Sequence, residues 1–244
     1  MRTAFRLLIL LGTSVQAGLA FSVRRLRGPL NIAQRAQWLH HWCSLVLRRL
    51  RIEISSEGIL PGRGLLASNH LSYLDILVFS AISPCVFVSK IEVRSWPLYG
   101  WLATMAGTVY VDRARSADTP RANQLMSQAL AEGNVVVLFP EGTSTDGTSV
   151  LRFHAALFES AVATQELVHA AHIGYVAEQG SVRDDICYWG TMTFLPHLIR
   201  LMTVRGIRAE VRFAVQGKKF DDRKAAANAT HDVVEALTKP ENKN

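Results

Sequence analysis

Cysteine is scarce in this chain. Cys43, Cys85 and Cys187 are the only three in 244 residues. They are odd in number and far apart, and no C-x-x-C occurs. That argues against a disulfide framework or a zinc site and fits a reducing compartment. Acidic residues are missing from the first 52 positions, which carry nine arginines; Glu53 is the first acid. The whole positive excess of the +7 chain therefore lies in that segment, and the remainder holds 18 basic and 20 acidic groups. No G-x-S-x-G elbow is present, which removes the usual serine nucleophile. Zinc-finger spacing, an RNP-like run and a basic face interleaved with aromatics are all missing, so no nucleic-acid partner is expected. No internal repeat or low-complexity linker interrupts the chain.

At 49% hydrophobic residues the chain can bury a sizeable core, enough for one α/β domain with a short extension. Leu7 to Val23 is uncharged, with Arg2 and Arg6 before it and Arg24, Arg25 and Arg27 after it. Its 17 residues are at the lower limit for a membrane span. A signal peptide with Gly18-Leu19-Ala20 at its cleavage site is the alternative. The arginines after the run favour the cytoplasmic side, and a tilted span and a helix lying in one leaflet are both open. Basic charge beside apolar sequence favours an anionic membrane surface. Residues 31–50 place Trp38, Leu39, Trp42, Leu45, Val46 and Leu50 at helical spacing, which suits either core packing or an interfacial helix. Residues 1–50 are thus expected to be membrane-associated helices, 51–238 an α/β domain and 239–244 a frayed tail.

From Arg51 the pattern becomes that of strands and helices in turn. Strands are expected at 51–54, 65–67, 84–89, 107–111, 135–139, 167–176, 186–189 and 207–215. Helices are expected just after His70, with Asp75 in the first turn, from Thr119-Pro120 to about Leu130, near 155–166, and from a cap at Asp221 to about Leu237. Val135-Val136-Val137-Leu138-Phe139 is a continuous apolar run, as a buried central strand requires. The order predicts α/β architecture with a mixed, mainly parallel sheet flanked by helices.

Polar clusters follow three of the apolar strands: Asn69-His70, Asp112-Arg113 and Pro140-Glu141-Gly142-Thr143. Ligands of open α/β sheets bind beyond the carboxyl ends of the strands. If these strands are parallel neighbours, the clusters share one cleft. His70 on a turn, with Asp75 in the first helical turn beyond it, can form an imidazole–carboxylate pair that leaves one ring nitrogen as a base. The same Ser72-x-x-Asp75 spacing also reads as a capping box. Arg113 is a fixed cation suited to a phosphate or carboxylate, or a surface partner of Asp112. Glu141 can bind a hydroxyl or hold the neighbouring loop. Gly142 permits close backbone approach, and Gly147 permits a turn.

Asn69-His70-x4-Asp75 resembles the N-H-x4-D motif of the glycerolipid acyltransferases, the 1-acylglycerol-3-phosphate acyltransferase family. Lys90 through Gly107-Thr108-Val109-Tyr110-Val111-Asp112-Arg113 resembles that family's second block, and Phe139-Pro140-Glu141-Gly142-Thr143 its F-P-E-G-T block. The three stand in the family's order. The resemblance implies an O-acyltransferase that moves a fatty acyl chain from acyl-CoA or acyl-carrier protein to a lysolipid hydroxyl, with no metal or other cofactor. His70 and Asp75 would be the catalytic pair. Asn69, Arg113, Glu141, Gly142 and Thr143 would serve acceptor binding. The first expectation for the acceptor is 1-acylglycerol-3-phosphate, giving phosphatidic acid. Ser144 stands where the family often has an arginine, and Tyr188 to His197 resembles a bacterial branch that includes lyso-ornithine lipid acyltransferases, the alternative acceptor class. A lipid hydrolase and a non-catalytic lipid-binding protein on this fold are the rivals. The expected location is the bacterial cytoplasmic membrane, with the site facing the cytoplasm.

Overall fold

The structure is a computed structural model and describes residues 2–112 and 118–238. Strands β1 (Glu53–Glu57), β2 (Gly64–Ser68), β3 (Val86–Lys90), β4 (Val109–Val111), β5 (Val135–Leu138), β6 (Val168–Val176) and β7 (Arg208–Phe213) form one sheet in the order β1-β7-β6-β2-β5-β3-β4. From β6 to β4 every neighbouring pair is parallel. β7 runs antiparallel to β6 and parallel to β1. The central strands β2 and β5 are buried at every position, which suits the apolar runs Leu65–Ala67 in β2 and Val135–Leu138 in β5. The carboxyl ends of β2, β5, β3 and β4 therefore point the same way, and the loops after them can share one cleft.

Two apolar layers cover the sheet. One packs α3 (Leu74–Ile82) and α7 (Phe194–Leu201) against Leu66, Val137, Ile173 and Val211. The other packs α5 (Asp118–Ala131) and α8 (Arg223–Ala236) against Leu65, Val136 and Ala170. The alternation of facing side chains along each strand assigns one set to each layer.

The N-terminal helices α1 (Arg2–Arg25) and α2 (Ile32–Leu50) are joined to this body rather than held apart from it. Leu10, Val46, Leu47 and Leu50 belong to the first layer. Asn31 and Gln34 form a reciprocal capping box at the start of α2. α1 carries two unlike stripes. Arg6, Leu10, Thr13, Ser14, Ala17, Gly18 and Phe21 are buried, whereas Phe5, Leu8, Leu11, Val15, Leu19 and Val23 are exposed. Arg6 donates to three carbonyls, those of Leu50 at 2.8 Å, Met202 at 3.1 Å and Val204 at 2.5 Å. It thereby satisfies backbone oxygens at the C-terminal ends of α2 and α7. Helix α1 is long and apolar enough to cross a membrane, and 39% of its most apolar window is buried in the protein.

Several local expectations differ from the structure. No strand forms at 186–189. Val182–Ile186 is a single helical turn, and Ile186 and Cys187 are buried beneath the loop that follows. The apolar run there reflects packing, not pairing. The helix expected over 155–166 is a 3-10 turn, Ala155–Phe158, followed by α6 (Glu159–Ala163), and it ends before Gln165 at φ 52°. The cap of α8 is Asp222, whose side chain accepts from the Lys224 and Ala225 amides, not Asp221. The second block also contains a 3-10 turn at Ile91–Ser95 and the short α4 (Tyr99–Met105), neither visible as a periodic pattern.

Candidate active site

The site is built first by the turn between β2 and α3. Ser68 ends β2, and α3 begins at Leu74, so residues 69–73 must reverse direction without ladder bonds. Asp75 supplies the missing partners. Its Oδ2 accepts from the backbone N–H of Leu71 at 2.7 Å and of Ser72 at 3.0 Å, and from His70 Nδ1 at 2.7 Å. The carboxylate thus reaches back over the turn, as its place in the first helical turn allows. Only half of the predicted capping box forms: Asp75 accepts from the Ser72 amide, but the Ser72 hydroxyl has no partner. Asp75 is fully buried, while the His70 side chain is 20% exposed. Since a carboxylate can only accept, His70 Nδ1 carries a proton, and in the neutral ring Nε2 keeps its lone pair.

A second carboxylate holds the turn from the other side. Glu141 Oε1 accepts from the His70 backbone N–H at 2.7 Å, and Oε2 accepts from the Leu151 N–H at 2.8 Å. Both oxygens are used on main chain, and the residue is 4% exposed. Burial pushes the Glu141 carboxyl above its ordinary value, with the two backbone N–H bonds pulling it back. Gly142 follows at φ +75°, a conformation that lets the chain turn immediately after Glu141. The Thr145 N–H donates to His70 O at 2.9 Å, so the loop after β5 and the turn after β2 are laced together. Phe139 stacks on the imidazole, with ring centroids 4.2 Å apart and planes 12° apart.

Strand β6 clamps the same turn from the other neighbouring position. Asn69 Oδ1 accepts from Ile173 N–H at 2.8 Å, and Asn69 Nδ2 donates to Ile173 O at 2.9 Å. The Tyr175 hydroxyl donates to Asp75 Oδ1 at 2.6 Å.

A cavity of about 270 Å³ opens beside His70. Gly142, Thr143 and Ser144 form one side, Lys90 and Val111 another, and Tyr73, Trp96, Tyr188 and Trp189 the aromatic wall. The Ser144 hydroxyl donates to the Tyr188 carbonyl, and Tyr188 N–H donates to Leu71 O at 2.7 Å. The segment after Cys187 is thereby held over the cavity. A second cavity of about 170 Å³, almost wholly apolar, lies between α1, α2 and the body, and Tyr73, Ile76, Val93 and Trp96 line both.

The structure therefore brings together His70, Asp75, Gly142 and Thr143 as expected from their positions on the chain. Asn69 and Glu141 sit behind the cavity wall, not on it, because their polar atoms are used on Ile173, His70 and Leu151. Arg113 lies outside the described residues. Lys90, Trp96 and Tyr188 line the cavity and Tyr175 stands behind it, although the sequence does not mark them as site residues. Lys90 was at hand as the cation ending a strand; Tyr175 carries no local signal, since an aromatic residue in a buried strand normally reads as core.

A family model described as Acyltransferase matches residues 51–174, just over half of the chain. The chain belongs to that acyltransferase family. It is 35% identical over 205 residues to a protein of Pseudomonas aeruginosa named lyso-ornithine lipid O-acyltransferase, covering 84% of this chain and 78% of that one. It is 31% identical over 179 residues to a 1-acyl-sn-glycerol-3-phosphate acyltransferase of Neisseria meningitidis, covering 72% and 70%. The fold matches the crystal structure of the acyltransferase PlsC from Thermotoga maritima with a TM-score of 0.65 at 19% identity, over the full length of both chains. The protein is thus an acyltransferase of lysolipids, of the lyso-ornithine lipid or the 1-acylglycerol-3-phosphate type.

Proposed function

We propose that the acceptor is a lysolipid of the lyso-ornithine type and that His70 is the base that activates its hydroxyl. The observation that carries the second point is the His70–Asp75 pair at the edge of the cavity, with Nδ1 engaged and Nε2 free to accept. His70 Nε2 takes the hydroxyl proton as the oxygen attacks the carbonyl of an acyl thioester. A C–O bond forms, the C–S bond breaks, and the proton returns to the leaving thiolate. The products are an ester and a thiol, and no acyl-enzyme is needed. General-base assistance of this kind is worth roughly 10²–10⁴-fold. Asp75 orients the ring and stabilises the imidazolium. Glu141 and Asn69 hold the turn and the loop in register. Gly142, Thr143, Lys90 and Arg113 are the acceptor-side residues in this reading, and acyl-CoA or acyl-carrier protein is the donor.

Two observations favour the lyso-ornithine acceptor. Where the family often has an arginine, Ser144 is tied to the Tyr188 carbonyl, so this wall of the cavity is closed by a main-chain contact rather than a second cation. The relatives from Pseudomonas aeruginosa and Brucella abortus, 35% and 36% identical, also bear that name. Lys90 on the cavity wall favours the phosphate-bearing acceptor as the second reading. The test is acyl transfer from labelled acyl-CoA and acyl-carrier protein to the two lysolipids side by side, with His70→Ala as the control. Product chiefly from lyso-ornithine lipid supports the reading. Product chiefly from 1-acylglycerol-3-phosphate replaces it with the second. Full activity in His70→Ala removes the base.

The exposed stripe of α1 supports a location at the membrane. Phe5, Leu8, Leu11, Val15, Leu19 and Val23 face outward while the opposite face is packed on the protein. In this reading α1, with one face packed on the protein, lies in one leaflet, with Arg24, Arg25 and Arg27 at the head-group level. Replacing Leu8, Leu11 and Val15 by Ser should release the protein from anionic vesicles in a flotation assay. Unchanged flotation would end this placement.

A further inference from the structure

The carboxylate behind His70 has a partner from a strand on which no motif falls. Tyr175, one residue from the end of β6, gives its hydroxyl proton to Asp75 Oδ1 at 2.6 Å. We propose that Tyr175 is a positioning residue of the acyl-transfer reaction: its hydroxyl fixes the Asp75 carboxylate and shares its charge, so that Oδ2 holds the His70 ring with Nε2 aimed at the acceptor. The inference rests on the reading of His70 as the base.

Four donors surround the Asp75 carboxylate. Three of them, His70 Nδ1 and the Leu71 and Ser72 amides, converge on Oδ2. All three belong to the turn that the carboxylate itself closes. Oδ1 has no donor from the turn, and Asp75 is wholly shielded from water. Without Tyr175, half of a buried carboxylate would be left without a hydrogen bond, the arrangement that folded proteins avoid most strongly. It would also be free to rotate about its last bond, exchanging the two oxygens before the imidazole. A donor on each oxygen removes that freedom.

The phenol suits the task. Burial, and the Asp75 charge after it, push the Tyr175 hydroxyl well above its ordinary range, so it is a proton donor at every working pH. Its strand is also held in register. Asn69 grips the amide and carbonyl of Ile173, two residues before Tyr175, on the same side of the strand. β6 thus contacts the His-x4-Asp turn at both ends, once through main chain and once through the carboxylate. A tyrosine buried only for packing would be satisfied by any carbonyl; this one spends its single donor on the carboxylate that holds the base. The other titratable groups near Asp75 are His70, Glu141, His172 and Cys187, and none of these donates to Oδ1.

The test uses the full-length protein in vesicles with Tyr175→Phe and, separately, 3-fluorotyrosine installed at position 175 alone. For Tyr175→Phe, kcat should fall about 10- to 100-fold, the range seen when an outer partner that orients a functional side chain is lost. KM for donor and acceptor should stay within about twofold, since Tyr175 is buried and lines neither cavity. The acidic limb of the kcat/KM profile should move to higher pH, because a carboxylate that no longer shares its charge holds the imidazolium more tightly. The fluorinated phenol is a stronger donor of the same shape, so its limb should move the opposite way. A Phe variant with wild-type kcat and an unmoved limb would overturn the proposal. If the Phe variant does not fold, an unmoved limb in the fluorinated protein overturns it alone. His70→Ala separates the two levels: full activity there removes the base itself, whereas a dead His70→Ala beside an unaffected Tyr175→Phe removes only the role of Tyr175.

Discussion

Two buried carboxylates flank His70, and they behave differently. Asp75 and Glu141 are 0% and 4% exposed, and each closes its own turn by accepting backbone N–H groups. Asp75 in addition holds a titratable ring nitrogen, whereas Glu141 holds only main chain. The lesson is that burial and proximity to the base do not make a carboxylate part of the proton path. What matters is whether its partner can gain or lose a proton. Asp75 is therefore expected to govern rate, and Glu141 to govern the shape and stability of the loop on which rate depends.

The comparison breaks most visibly if Asp75 is replaced. In Asp75→Asn the amide can meet His70 Nδ1 with an N–H, which favours the wrong tautomer, and kcat should fall on the order of 10³–10⁴-fold with the fold retained. Steady-state kinetics with a melting curve checks this; activity within tenfold of wild type would reduce Asp75 to a cap. Glu141→Gln should cost about 1–3 kcal/mol of stability, because one of its two buried N–H partners now faces an amide NH₂, and its kcat should fall far less than that of Asp75→Asn. Its pH signature sharpens the contrast. Burial raises the Glu141 carboxyl above 4.5 in the folded protein. The fold therefore gains from the protonated form below that pH and loses the gain as pH rises through the shifted value. Glu141→Gln lacks this slope, so its stability deficit should be largest below pH 4.5 and shrink as pH rises through the shifted value, as read by denaturant titration at several pH values. A constant deficit would contradict the role of burial. Ser144→Ala should have the smallest effect. It removes one side-chain donor from the Tyr188 carbonyl, a change of about 0.5–1.5 kcal/mol. Acceptor KM should rise a few-fold with kcat unchanged, which initial rates over a range of acceptor would show.

Legibility in the sequence followed distance along the chain. His70 and Asp75 are five residues apart, and the turn that joins them is local, so their pairing could be read from spacing alone. Glu141 was marked by its motif, but its partners were not, since the His70 amide is 71 residues away. Tyr175 is 100 residues from Asp75 and stands in a strand whose composition asks only for burial. In sequence Arg6 is a flanking charge of an apolar run, yet it is buried on carbonyls more than 190 residues ahead of it. Residues 186–189 looked like a strand because apolar runs signal burial before they signal pairing.

The strand and helix alternation, the apolar runs of the central strands, the one-sided charge of the N-terminal segment and the His-x4-Asp turn are all legible in the chain alone. Each of these depends on propensity, periodicity or contacts within a few residues. Long-range packing puts β6 beside β2, turns Asn69 and Glu141 to the main chain rather than the cavity, and brings Tyr175 to Asp75. Those outcomes depend on which strands become neighbours, and strand order is set by how the whole sheet buries its two faces, a property that no short stretch of chain contains.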